Sequence, residues 1–135
     1  MTPALARLIL AAGLSFSASL SVSAQDLSGQ SWLVVSMAGE TMAPQPPATF
    51  QFEAGGRVSG STGCNRFMAR YIREGERLRF TPAAGTRMAC PTALMAQEQR
   101  FLSALDKVTR IEPAGLGALI LAGEQGELFR LVPLR

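Results

Sequence analysis

From residue 31 onward, apolar and polar residues alternate in short runs with the two-residue period of half-buried strands. The run 31–37 (SWLVVSM) is β-branched and aromatic and reads as the first strand. Residues 38–48 hold Gly39, Pro44, Pro46 and Pro47, and proline removes ladder donors, so this stretch reads as a loop. Alternation returns at 49–53 (TFQFE), with Phe50 and Phe52 on one face; Ala54-Gly55-Gly56 turns the chain and 57–61 comes back as its hairpin partner. Thr62-Gly63-Cys64-Asn65 breaks the pattern and predicts a bulge or bend. Residues 66–73 resume it, with Phe67, Ala69 and Tyr71 on one face and Met68, Arg70 and Ile72 on the other. After the Glu74-Gly75 turn, 77–81 points Leu78 and Phe80 inward, and 82–85 is a loop.

Only one segment has a helical period. Between residues 91 and 106, Leu94, Phe101 and Leu105 share a stripe that continues to Val108, flanked by Met95 and Leu102; Gln97, Glu98, Gln99 and Arg100 are left for solvent. Pro91 suits the first turn, where its missing N–H is not required. Three closing strands follow at 107–112, 117–122 and 127–132, the last two joined by a turn at 123–126. About seven or eight short strands with a single helix cannot build βαβ crossovers. The expected fold is α+β: a curled, mostly antiparallel sheet, or partial barrel, with the helix covering its open face.

The N-terminal residues follow a different pattern. Arg7 is the only charge before Asp26, an apolar run starts at Leu8, and Val22-Ser23-Ala24 offers the small side chains that signal peptidase needs. Residues 1–24 therefore read as a signal peptide cleaved before Gln25, leaving one domain over 25–135. The competing reading, a membrane anchor, meets a stretch of 17 residues (8–24) with five serines, where a span needs about 20 apolar residues. No cysteine stands at the junction to carry a lipid. The expectation is a periplasmic or secreted protein with no stable membrane anchor after cleavage.

The whole chain is mildly basic, net +3, and Lys107 is its only lysine. Seven arginines fall between Arg57 and Arg87, against Glu74 and Glu76. They could face an anionic partner or form a solvated strand face. With no interleaved aromatic platform and no recognisable module, nucleic acid is not an expected partner. The chain has no histidine. That removes Ser-His-Asp and Cys-His nucleophile systems, which need an imidazole base, and most zinc or non-haem iron sites, because two cysteines cannot close a tetrahedral shell. No metal or other cofactor is expected. Carboxylate, lysine or thiol chemistry remains; Glu74 and Glu76 straddle a turn, where a poised acid–base pair is not expected.

Cys64 and Cys90 are the only thiols. An even count in a small exported domain reads as a disulfide, here between the bend and the start of the helix. A bridge over 26 positions would stabilise the fold by roughly 3.5 kcal/mol on the chain-entropy model. The rival reading makes Cys90 reactive, since a helix N-terminus lowers a thiol's pKa. Redox exchange usually places its cysteines in a C-x-x-C turn, which is lacking here.

Gly60-Ser61-Thr62-Gly63-Cys64-Asn65-Arg66-Phe67, then Tyr71, then Thr86-Arg87-Met88-Ala89-Cys90-Pro91, followed by Glu98, Phe101 and Leu102, resembles the META domain or HslJ-like family of bacterial envelope proteins. Trp32-Leu33 and Phe50-x-Phe52 fit the same pattern, so the likeness runs from Trp32 to Leu128-Phe129. Ala69 departs from it, since relatives commonly carry glycine there. The resemblance implies a compact α+β fold and an association with stress responses, secretion or motility. It implies no catalytic residue set. Asn65, Arg66 and Arg87 are the candidate binding residues. The local alternative has Asn65 satisfying the backbone at the bend and Arg87 pairing a carboxylate or capping carbonyls.

Three functions follow, in order of preference. The first is a non-enzymatic, monomeric envelope protein meeting an envelope protein or cell-wall component. The second is a small-ligand binder using the sheet as a cup walled by Phe50, Phe52, Phe67, Tyr71 and Phe80. The third is an enzyme using Glu74, Glu76 or the thiols.

Overall fold

The computed structural model describes residues 3–4, 9–15, 17 and 26–135. The expected cleavage point at 22–25 lies outside the described residues.

The alternating runs become strands at the expected places. Strand β1 (Ser31–Met37) is followed by a two-residue β2 (Glu40–Thr41) inside the proline-rich loop, then β3 (Thr49–Glu53), β4 (Arg57–Ser61), β5 (Arg66–Glu74), β6 (Arg77–Phe80) and a two-residue β7 (Ala84–Gly85). Helix α1 (Thr92–Lys107) leads to β8 (Arg110–Pro113), β9 (Leu119–Gly123) and β10 (Gly126–Pro133). The helix runs through Lys107, so the strand expected to begin there starts at Arg110 instead; Val108 caps the helix and is buried. The loops at 38–48 and 82–85 each contain one of the short strands that alternation does not reveal.

Neighbouring strands are antiparallel and follow the order β10-β9-β8-β6-β5-β4-β3-β1, and β1 also pairs with β10. The sheet is thus a closed eight-stranded barrel, with β2 and β7 added to β1 and β5. As expected, one helix covers the curled antiparallel sheet, here closed into a barrel, and it lies across one of the barrel's mouths. It begins beside Cys64 and ends with the Lys107 carbonyl close against Gly123 at the end of β9. The register places Leu33, Thr49 and Ser61 toward this mouth, and Ser31, Gln51 and the Glu53–Arg57 turn toward the other. The seam between β6 and β8 is short: Arg77 pairs Arg110, with backbone bonds from Leu78 to Thr109 and from Ile111 to Glu76.

The interior is filled with aromatic rings. Phe50 sits at the centre, 5.3 Å from Phe101 and from Phe129, 5.6 Å from Phe67, and 6.0 Å from Phe52 and Phe80. Such pairs contribute about 0.5–1.5 kcal/mol each beyond the area they bury. Phe101 is the helix's contribution to this cluster, with Ala104 and Leu105 buried beside it. Gly60 pairs with both Phe50 and Phe67, and a Cβ there would strike the Thr49 carbonyl, so β3 and β4 approach at a distance only glycine allows.

Candidate functional site

The break in alternation at 62–65 turns the chain from β4 into β5 at the helix-covered mouth. Thr62 organises the turn: its hydroxyl accepts the backbone N–H groups of Cys64 (3.2 Å) and Asn65 (3.1 Å), and its own N–H donates to the Asn65 carbonyl (2.9 Å). Gly63 is needed inside it, with φ +97° and the Gln97 amide 2.5 Å from where a Cβ would stand. The bend is then held by two other segments. From the helix, Gln97 Nε2 donates to the Thr62 carbonyl (2.9 Å), and Glu98 accepts from the Thr62 hydroxyl (2.9 Å) and Asn65 Nδ2 (3.1 Å). From the chain that leads into the helix, Met88 N–H and the Thr86 hydroxyl donate to Asn65 Oδ1 (2.7 and 3.0 Å), and the Met88 carbonyl accepts from Asn65 Nδ2 (3.3 Å).

The sulfurs are joined across the same junction. Cys64 and Cys90 form a disulfide with their Cα atoms 6.0 Å apart, within the ordinary span of such a bridge, so neither is a free thiol. The reactive-thiol reading of Cys90 fails on this pairing. The bond ties the bend to the residue before Pro91, which precedes the helix.

Asn65 is 4 % exposed and satisfies backbone, although the groups it serves belong to Met88; the bend's own amides go to Thr62. Arg66 opens β5 and points to solvent. Arg87 is exposed, and neither its expected carboxylate nor a capped carbonyl is found: neither Arg66 nor Arg87 makes a side-chain hydrogen bond or ion pair among the described residues. Gln97 and Glu98 are the partners the helical pattern hides, because polar residues on a helix flank read as solvated. The spacing Thr62-x-x-Asn65 is the available signal, since a hydroxyl just ahead of a bend commonly binds the amides that follow.

Beside β7, which pairs with β5, a groove of about 510 Å³ opens between residues 83–87 and the helix. Phe67, Ala83 and Leu102 give it an apolar floor, Glu98 sits at its inner wall, and Arg66 and Arg87 stand at its rim. The residues expected to wall a cup fill the barrel interior instead: Phe50, Phe52 and Phe67 are buried in the core, with Tyr71 and Phe80 packed against it. Among the described residues no three His, Cys, Asp or Glu side chains gather as a metal site, and no helix is long and apolar enough to cross a membrane.

A family model described as META domain matches residues 25–134. The fold is similar to an NMR structure of a protein from Burkholderia xenovorans, at 27 % identity and a TM-score of 0.63, covering 80 % of this chain and 83 % of that one. A second NMR structure is 23 % identical with a TM-score of 0.61, over 77 % of this chain and 89 % of the other. A crystal structure of a DUF4847 family protein from Bacteroides vulgatus shares the fold at 14 % identity and a TM-score of 0.55, over 78 % and 92 %. No curated protein matches the chain.

Proposed function

Since the chain belongs to the META domain family, we propose that it is an exported, non-enzymatic protein of the periplasm or the cell exterior that acts by binding. Its partner is an acidic segment of an envelope protein or of cell-wall material, met under stress. The observation that carries this reading is the pair Arg66 and Arg87, two guanidinium groups with no carboxylate partner among the described residues, at the rim of a groove with an apolar floor. Guanidinium forks match carboxylates bidentately, and the apolar floor gives a bound segment surface to bury. The disulfide suits an oxidising compartment, and the leader pattern at 1–24 suits export. The bonds that engage Glu98 and Asn65 are consistent with a scaffold supporting a binding edge.

Two measurements test it. Intact-mass analysis of protein recovered outside the cytoplasm should show residues 1–24 removed and no thiol open to alkylation without reductant. Crosslinking in envelope extracts should give defined adducts with the wild type that are lost with Arg66→Glu/Arg87→Glu. An identical adduct pattern for both proteins, or none in any stress condition, would remove the groove from the account. A second reading, a small carboxylate ligand in the same groove, is favoured by its volume, which falls in the range of about 300–1,000 Å³ typical of ligand sites.

A further inference from the structure

We infer that the outer face of β4, β5 and β6 is a docking surface for an anionic lipid bilayer. Burial alternates cleanly along β5. Phe67 goes inward and Ala69 and Tyr71 pack on the core, so Arg66, Met68, Arg70, Ile72 and Glu74 face out. Cross-strand pairing sets Arg57 beside Arg70, Arg79 beside Ile72 and Arg77 beside Glu74. Two large apolar side chains, Met68 at 66 % and Ile72 at 53 % exposure, therefore lie among five outward arginines. At about 3.3 Å per residue and 4.8 Å between strands, the patch measures roughly 26 by 10 Å.

The charge on this face is only partly neutralised. Glu53 meets Arg57 at 3.6 Å, and Glu74 and Glu76 are exposed at the β5–β6 turn beside Arg77, which leaves Arg66, Arg70 and Arg79 without a carboxylate in contact among the described residues. The Arg70 guanidinium contacts a neutral group, the Gly55 carbonyl at 3.3 Å, and Arg79 has no ion-pair partner among the described residues. A surface that alternates cations with protruding apolar groups meets two layers of a bilayer at once. Guanidinium forks bind lipid phosphates, while Met68 and Ile72 enter the boundary between head groups and acyl chains. An acidic polypeptide fits less well. The face is the convex outside of a closed barrel, and β5 is hydrogen-bonded to β4 on one side and to β6 and β7 on the other, which leaves no strand edge to extend.

The test is co-sedimentation of the disulfide-bonded protein, as recovered from cells, with vesicles of phosphatidylcholine alone and of phosphatidylcholine mixed with phosphatidylglycerol. Binding should require phosphatidylglycerol and should weaken as salt rises past about 0.1 M, where the screening length falls to about 10 Å. Arg70→Glu/Arg79→Glu should lower partitioning at least about tenfold, and Met68→Ser/Ile72→Ser severalfold, with circular dichroism and Trp32 emission unchanged in both. Equal binding to the two vesicle types, no binding to either, or full binding by the folded arginine variant overturns the inference. Retention on heparin or DNA without vesicle binding overturns it too, and would reassign the face to soluble polyanions. Arg66 borders both surfaces, but neither variant alters Arg66 or Arg87, so a loss of vesicle binding in either variant is assigned to this face and not to the groove.

Discussion

At Asn65 the side-chain amide uses both ends: its oxygen accepts from Met88 N–H and the Thr86 hydroxyl, and its nitrogen donates to Glu98 and the Met88 carbonyl. Removing a buried hub strands its partners, so Asn65→Ala should cost about 2–4 kcal/mol, read from the urea midpoint. Asn65→Asp keeps the shape but sets a second carboxylate beside Glu98, and should be no more stable than the alanine variant near neutral pH. An unchanged midpoint for both would show that the network is dispensable. Tyr71, the only tyrosine, offers a separate residue-level test. Burial, then the negative charge of Asp26, disfavours the phenolate, and Arg73 opposes them less strongly, so its pKa is raised from the ordinary 10.0. The stability this group contributes is fully present below about pH 10, where an unfolded tyrosine ionises, and is lost as pH climbs through the higher native value. Tyrosinate absorbance should rise at a higher pH in the native protein than in denaturant, and Tyr71→Phe should flatten the alkaline fall in stability; coincident titrations would contradict this. Asn65 was legible from the sequence as a bend residue. Its partners were not, because Gln97 and Glu98 look like any solvated helix flank until the bend is folded against them.

Among the elements, strands were legible wherever burial enforces a strict alternation, as in β3 and β5. The two-residue β2 and β7 were not: they are too short to show a period, and they form because β1 and β5 run past their longer neighbours. The helix was legible from its apolar stripe, although its far end was set by Val108 entering the core rather than by a stop signal. Its near end depends on the disulfide. The Cys64→Ser/Cys90→Ser protein should lose about 3.5 kcal/mol, a loop-closure estimate, and still fold, because Phe101 remains locked among Phe50, Phe67 and Phe129. Hydrogen exchange should quicken chiefly through 86–91 and the first helical turn. An unaltered urea midpoint would mean the bridge contributes no net stability.

For the molecule as a whole, the feature least visible in the sequence is closure, since β1 and β10 lie at opposite ends of the domain and periodicity does not name a strand's neighbours. Closure joins the eight barrel strands to one shared core, so denaturant unfolding should be a single transition. Emission from Trp32, the only tryptophan and 1 % exposed, should share its midpoint with far-UV circular dichroism, whereas separated midpoints would mean the helix or a hairpin melts independently. The same pairing fixes how the protein would hang from anything attached to it. The Leu134 N–H donates to the Ser31 carbonyl at 2.9 Å, so chain entry and exit share one rim, while the bend, the sulfur bridge and the start of the helix occupy the opposite one. A tether fused to either terminus would hold Arg66 and Arg87 at the distal tip, turned away from the point of attachment.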